Sequence, residues 1–202
     1  MSHHIEKVAV LGAGVMGSQI AGHLANAGIP SFLFDINQNL SEKGIETLTK
    51  LKPAPLFKPK NVELITPCNY DNHIEKINEV DWVLEAVSER LDIKHSVYKN
   101  ITPQLKSTAI VTSNTSGIPL LELITVFPND VKSRFMITHF FNPPRYMHLL
   151  ELVRSEFTSE NVYNSMAEFG EDVMGKGIVH AKDTPNFIGN RIGGFNMGVT
   201  IH

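Results

Sequence analysis

Cysteine is nearly absent: Cys68 stands alone in 202 residues, which excludes an internal disulfide framework and fits a reducing compartment. No apolar run approaches the ~18 residues of a membrane span. The opening MSHHIEK also lacks the apolar core of a secretory leader. The expected setting is therefore cytoplasmic, without a membrane partner. Charge of one sign is missing too. Eighteen Lys and Arg face 21 Asp and Glu for a net charge of -3, and Lys52, Lys58 and Lys60 are scattered, so nucleic acid is not an expected partner. His3, His4, His23, His73, His95, His180 and His202 show no ligand spacing, and no metal site is expected. What is present is ordinary globular composition, 42% hydrophobic and 19% charged with 14 Gly and 11 Pro. At this length one large domain, or one domain and a fragment of another, buries roughly 70% of its extended-chain surface.

Short β-branched runs alternate with helical periodicity along the first half. Lys7 to Leu11 reads as a strand stopping at glycine, and Met16, Ile20, Leu24 and Ala27 then recur at helical spacing. Ser31 to Asp35 is a second strand, followed by a helix over Ser41 to Lys50. Pro53, Pro55 and Pro59 forbid a continuous helix beyond it. Strands are expected at Val62 to Thr66, Trp82 to Val87 and Ala109 to Thr112, with a helix from Leu91 to Leu105. These runs have little polar alternation, as strands covered on both faces do. The alternation argues for an α/β fold with a doubly wound, mostly parallel sheet of Rossmann type. From Phe135 the rhythm changes. Phe135 to Phe140 and His148 to Val153 are separated by only NPPRYM, too short for a parallel crossover, so they should form an antiparallel extension. Ser159 to Met174 reads as helix and Gly177 to Ala181 as a last strand.

The division expected is 1–183 for the sheet domain and 184–202 for the start of a helical C-terminal domain. Asp183 or Thr184 would cap a helix with Pro185 in its first turn. Ile188, Ile192, Phe195 and Val199 would then form its apolar stripe, with Gly189, Gly193, Gly194 and Gly198 fitting close packing against a further helical partner.

Two constellations carry chemistry. Gly12-Ala13-Gly14-Val15-Met16-Gly17 is GxGxxG between a strand and a helix, with Asp35 ending the next strand. Gly12 allows the tight turn, Gly14 lets backbone approach a pyrophosphate, Gly17 lets helix pack on strand, and the helix N-terminus offers N-H groups to the anion. Asp35 would accept the adenosine ribose hydroxyls and repel a 2'-phosphate, and no Arg follows it in DINQN, so NAD is expected over NADP; nothing selects FAD. The second constellation comes from the hairpin: with its turn centred on Arg145, His139 falls opposite Glu151. Cross-strand Cβ atoms are about 4.5 to 5.5 Å apart, close enough for the carboxylate to brace the imidazole as a general base for a substrate hydroxyl. His148, by the turn, reads as structural.

VLGAGVMGSQIAGHLANAGI, EAVSERLDIK, SNTSG, THFFNPPRYMHLLELV and KDTPNFIGNR, in this order, resemble the NAD-binding domain of the 3-hydroxyacyl-CoA dehydrogenase family across nearly the whole chain. The resemblance implies NAD-dependent oxidation of an L-3-hydroxyacyl-CoA to the 3-ketoacyl-CoA in fatty-acid β-oxidation, with an acyl-CoA substrate as partner. It makes His139 the catalytic base and Glu151 its partner. Ser116 and Asn190 would hydrogen-bond the reacting oxygen, and Glu85, Lys94, Asn114 and Asn142 would line the cofactor and substrate cleft. The family's helical C-terminal domain closes that cleft and carries the usual homo-oligomer contact; here only its first helix would be present. The short KPAPLFKPK segment resembles variants fused to a downstream enoyl-CoA hydratase. Lys52, Lys58 and Lys60 read better as a solvated loop than as contacts to CoA phosphates. Two rival readings are a dehydrogenase of a short hydroxy acid or sugar acid without CoA, and a non-catalytic NAD-binding module.

Overall fold

The structure, a computed structural model, describes residues 4–200, with side chains described as far as Phe195. Val199, Gly198, His3 and His202, named in the sequence reading, fall outside the described side chains. In chain order the elements are β1 (Val8–Leu11), α1 (Val15–Asn26), β2 (Ser31–Asp35), α2 (Gln38–Lys50), β3 (Ile65–Asn69), a single turn α3 (Tyr70–His73) and β4 (Trp82–Glu85). They continue with α4 (Leu91–Ile101), β5 (Ile110–Ser113), the single turns α5 (Leu120–Leu123) and α6 (Asn129–Lys132), β6 (Phe135–Phe140), β7 (Leu149–Val153), α7 (Glu160–Glu168), β8 (Gly177–Ala181) and α8 (Gly189–Thr200).

The strands form one sheet in the order β3-β2-β1-β4-β5-β6-β7-β8, parallel throughout except for the antiparallel β6–β7 pair. The order reverses between β1 and β4, so the carboxyl ends of those strands flank the crevice where such sheets bind ligands. Both faces are covered. Val8, Val10, Trp82, Leu84 and Ile110 share one core with Ile20 and Leu24 of α1, while Ala9, Leu11 and Val83 face the opposite core with Ile101 of α4. Burial on both faces explains the missing polar alternation.

Several boundaries differ from the sequence reading. Val62 to Thr66, expected as a strand, is mostly a 3-10 turn over Pro59–Leu64, and β3 runs from Ile65 to Asn69. Pro67 argues against a strand in sequence, but β3 lies at the sheet edge, where a missing ladder donor is tolerated. The fourth strand stops at Glu85 instead of Val87, and α4 gives way to a 3-10 turn at Thr102–Gln104, where Pro103 removes a donor. The second helix begins earlier than expected, at Gln38, because the Asn37 side chain accepts from Leu40 N at 3.0 Å. The long helix at Ser159 to Met174 ends as α-helix at Glu168 and widens into a π turn over Phe169–Val173.

The largest correction concerns α8. Pro185 is not in its first turn: Asn186 and Phe187 have φ of +63° and +44°, a left-handed interruption, and the helix begins at Gly189. Asp183 is engaged elsewhere, accepting from Leu120 N at 3.0 Å. The cap is supplied from another strand: Glu151 Oε1 accepts from Ile188 N at 2.9 Å and Gly189 N at 2.7 Å. Gly189 is small because Phe141 stands over it, 2.6 Å from where a Cβ would lie, whereas nothing stands within 4 Å of Gly193 or Gly194. Phe187 is buried in the sheet's own core, while Ile188, Ile192 and Phe195 are 39%, 58% and 71% exposed.

Candidate active site

At the carboxyl end of β1, Gly12 has φ +103° and a Cβ there would meet Ala86 O at 2.6 Å, so no other residue fits the turn. A Cβ on Gly17 would lie 1.8 Å from Gly12 O, which is why α1 can sit directly over β1. Gly14 has nothing within 4 Å of its Cβ position and makes no side-chain cap, so the first N-H groups of α1, beginning at Val15 and Met16, face an open cradle suited to an anion. Asp35 is locked beside this turn: Oδ2 accepts from Ala13 N and Oδ1 from Ile36 N, both at 2.7 Å. Two cavities meet at Gly14 and Asp35. One, about 340 Å³, lies between α1 and α2 against Gln19, Lys43 and Thr47. The other, about 330 Å³, is walled by Ile36, Val87, Ile93 and Val97. A glycine cradle, an open helix terminus and a carboxylate above an apolar slot fit the phosphates, ribose and base of a dinucleotide.

Across the sheet, the register pairs His139 with Glu151. Their side chains share a face: His139 Nδ1 and Glu151 Oε2 are 2.7 Å apart, with the Glu151 side chain fully buried and that of His139 6% exposed. The ring is held at 4.5 Å by Phe141 and 5.6 Å by Phe187. Since Glu151 Oε1 is already occupied by the α8 amides, only Oε2 is left for the histidine. A carboxylate can only accept, so Nδ1 carries the proton and Nε2 is the lone-pair nitrogen. Nε2 has no hydrogen-bond partner among the described residues. That is the arrangement a proton acceptor requires.

The remaining candidates divide into two groups. Ser116, Asn142 and Asn190 are exposed. Asn114, half-buried, fixes its loop to β6 by accepting from Phe140 N at 2.8 Å. Gly117, beside Ser116, comes within 3.8 Å of Asn186 Oδ1 at its Cβ position, and Leu120 N donates to Asp183, so the SNTSG loop lies against the segment leading into Asn190. Glu85 and Lys94 are instead fully buried beneath the loop and line neither cavity. Glu85 accepts from Lys94 Nζ at 2.7 Å, Tyr98 OH at 2.7 Å, Ser113 Oγ at 2.6 Å and Val87 N at 2.8 Å. Burial, reinforced by Glu85, drives the Tyr98 hydroxyl well above its ordinary value.

Sequence reasoning passed over two residues. Glu89 Oε1 accepts from Thr115 Oγ1 at 2.5 Å and Ser116 N at 2.9 Å, and Lys94 reaches its other oxygen at 3.2 Å. Half-burial opposes its charge, but Thr115, Lys94 and the Ser116 amide hold its carboxyl below the usual range. It stands inside EAVSER, where nothing local in the sequence distinguishes it from Glu85. The other is Gln19, whose Nε2 donates to Asn142 Oδ1 at 3.1 Å. Gln19, His23 and Asn26 recur at helical spacing, a polar line on a mostly buried helix that was a readable signal. Among the described residues, no three His, Cys, Asp or Glu are grouped to hold a metal ion, and no helix is long and apolar enough to cross a membrane.

Residues 7–184 match the family described as 3-hydroxyacyl-CoA dehydrogenase, NAD binding domain. A probable 3-hydroxyacyl-CoA dehydrogenase of Bacillus subtilis is 45% identical over 100% of this chain and 28% of its own length. One of Deinococcus radiodurans is 44% identical over 96% of this chain and 58% of its length. A putative fatty acid oxidation complex trifunctional enzyme of Rickettsia prowazekii is 42% identical over 100% and 29%. The chain therefore spans 28–58% of the length of these curated relatives. Among solved structures, (S)-3-hydroxybutyryl-CoA dehydrogenase from Ralstonia eutropha superposes with a TM-score of 0.81 at 30% identity, covering 94% of this chain and 68% of that one.

Proposed function

Since the chain belongs to the 3-hydroxyacyl-CoA dehydrogenase NAD-binding family, we propose that it carries the cofactor site and the acid-base pair for oxidising an L-3-hydroxyacyl-CoA to its 3-ketoacyl-CoA in fatty-acid β-oxidation. The observation that carries this reading is the 2.7 Å His139–Glu151 contact, with Glu151's second oxygen tied to α8 and Nε2 of His139 left to act. NAD, when bound, supplies the acceptor for the hydride leaving C3. Gly12, Gly14, Val15, Met16, Gly17 and Asp35 would hold it. His139 Nε2 takes the proton of the C3 hydroxyl as the C–H electrons depart, and Glu151 stabilises the imidazolium that results. In the reverse direction the imidazolium returns that proton to the ketone oxygen. Ser116 and Asn190 would donate to this oxygen, with Asn142, just beyond β6, adding to the donor set; the exposure of all three supports that reading. Glu85 and Lys94 act from beneath, through the Glu89-held loop.

The test is reduction of acetoacetyl-CoA by NADH, compared with free acetoacetate, in the protein at its full natural length. Turnover of the thioester, lost about 10²- to 10⁴-fold in His139→Ala, is expected. Preference for the free acid would favour a dehydrogenase acting without CoA. Equal rates with and without His139 would favour a binding module.

A further inference from the structure

Gln19 joins α1 to the hairpin, in a role that rests on the proposed action of His139. On the face of α1 turned towards the hairpin, Gln19 is 7% exposed and its amide nitrogen lies between two oxygens: Val15 O at 3.2 Å and Asn142 Oδ1 at 3.1 Å. A backbone carbonyl can only accept. The end of Gln19 that points into this gap must therefore be its NH2, and whatever Asn142 presents to it must be its own oxygen. The polarity of Asn142 follows from that chain of donors. With Oδ1 taken by Gln19, its NH2 points the other way and has no partner among the described residues; Asn142 itself is exposed, three residues after His139 and just beyond β6. Among the described residues nothing else fixes this choice, because an asparagine side chain can present either end by a rotation about its terminal torsion.

We infer that Gln19 is a positioning residue: it links the first turns of the cofactor helix to the catalytic hairpin and sets the Asn142 amide so that its N-H groups, not its oxygen, face the reacting carbonyl group. The amide network spans 123 residues of sequence. It places one residue of the glycine-turn helix in mechanical register with the acid-base strand. The substrate's oxygen and thioester carbonyl are acceptors, so an Asn142 turned the other way would oppose them with a lone pair.

A double-mutant cycle on full-length protein tests this, with Gln19→Met, Asn142→Ala and the double variant. Gln19→Met keeps the length and shape of the side chain and removes the donor. The expected result is a roughly tenfold or greater fall in kcat for acetoacetyl-CoA at saturating NADH in the otherwise unmutated protein, under twofold in the Asn142→Ala background, and an unchanged far-UV circular dichroism spectrum in all three. Non-additivity of this size is what contacting residues show. The unchanged spectrum reports that the domain has folded. A Gln19→Met loss of the same size in both backgrounds, or no loss in either, overturns the role of Gln19 while leaving the catalytic reading intact. An unmutated protein that fails to reduce acetoacetyl-CoA while binding NADH overturns both.

Discussion

Glu151 performs two tasks with two oxygens, and substitution separates them poorly. Glu151→Gln replaces one acceptor by an NH2. If the remaining oxygen keeps the α8 amides, the amide nitrogen meets the Nδ1–H of His139. If it keeps the histidine, the Ile188 and Gly189 N-H groups are left without an acceptor. We expect kcat to fall about 10²- to 10⁴-fold and stability by about 1–3 kcal/mol, with NADH binding retained; stopped-flow rates and thermal unfolding measure the two separately. Gly17→Ala places a carbon 1.8 Å from Gly12 O, so α1 must move off β1. NADH affinity should drop at least tenfold by fluorescence titration, whereas Gly193→Ala, with open space around it, should leave affinity unchanged. Asp35→Ala removes the carboxylate that would repel a 2'-phosphate, and should weaken NAD while narrowing its preference over NADP. A wild-type chain that already bound NADP as well as NAD would contradict that assignment.

At the scale of elements, the seam between α1 and the β6–β7 hairpin has a pH dependence of its own. Burial, with Lys176 nearby, lowers the His23 imidazole to about 4, while its Nε2 contacts Met174 O at 3.0 Å. Lys176, itself lowered to about 8 by burial, donates to Pro144 O and Met147 O in the hairpin turn. His23 is neutral when folded and protonates with an ordinary value when unfolded. The unfolded state therefore binds the extra proton between about pH 6.5 and 4, and stability declines as pH falls through that window. The full contribution is about 3 kcal/mol. His23→Gln should flatten urea-unfolding stability across this range; an unchanged slope would remove His23 as its source. Elements also mark where sequence reading stopped. The hairpin register was legible, because pleat parity and a short turn leave one pairing that buries both hydrophobic sets. The place of β3 was not, since Pro67 is acceptable only at a sheet edge and edges are defined by the partner strands.

For the whole molecule, the decisive feature is the open side of the cleft. Ser116, Asn142 and Asn190 are exposed, and the Ile188, Ile192 and Phe195 stripe of α8 lies in solvent beside them. Water at such a site weakens every electrostatic contribution to the barrier. The 202-residue chain should bind NADH by titration yet turn over acetoacetyl-CoA slowly, and joining it to the remaining length of the Bacillus subtilis relative should raise kcat. Equal kcat for both would show that the sheet domain alone excludes enough water.

The sequence by itself determined the chemistry available and the short-range geometry: a glycine turn that only glycine can make, a carboxylate one strand away, and a histidine opposite a glutamate. These follow from rules that span a turn or a neighbouring strand. Tertiary structure alone decided how those groups are completed. Glu151 caps a helix 37 residues later, Gln19 orients an amide 123 residues away, and Asp183 serves Leu120 and not its own helix. The reason is that buried donors and acceptors must all be satisfied at once, and which partner is at hand depends on how distant elements pack.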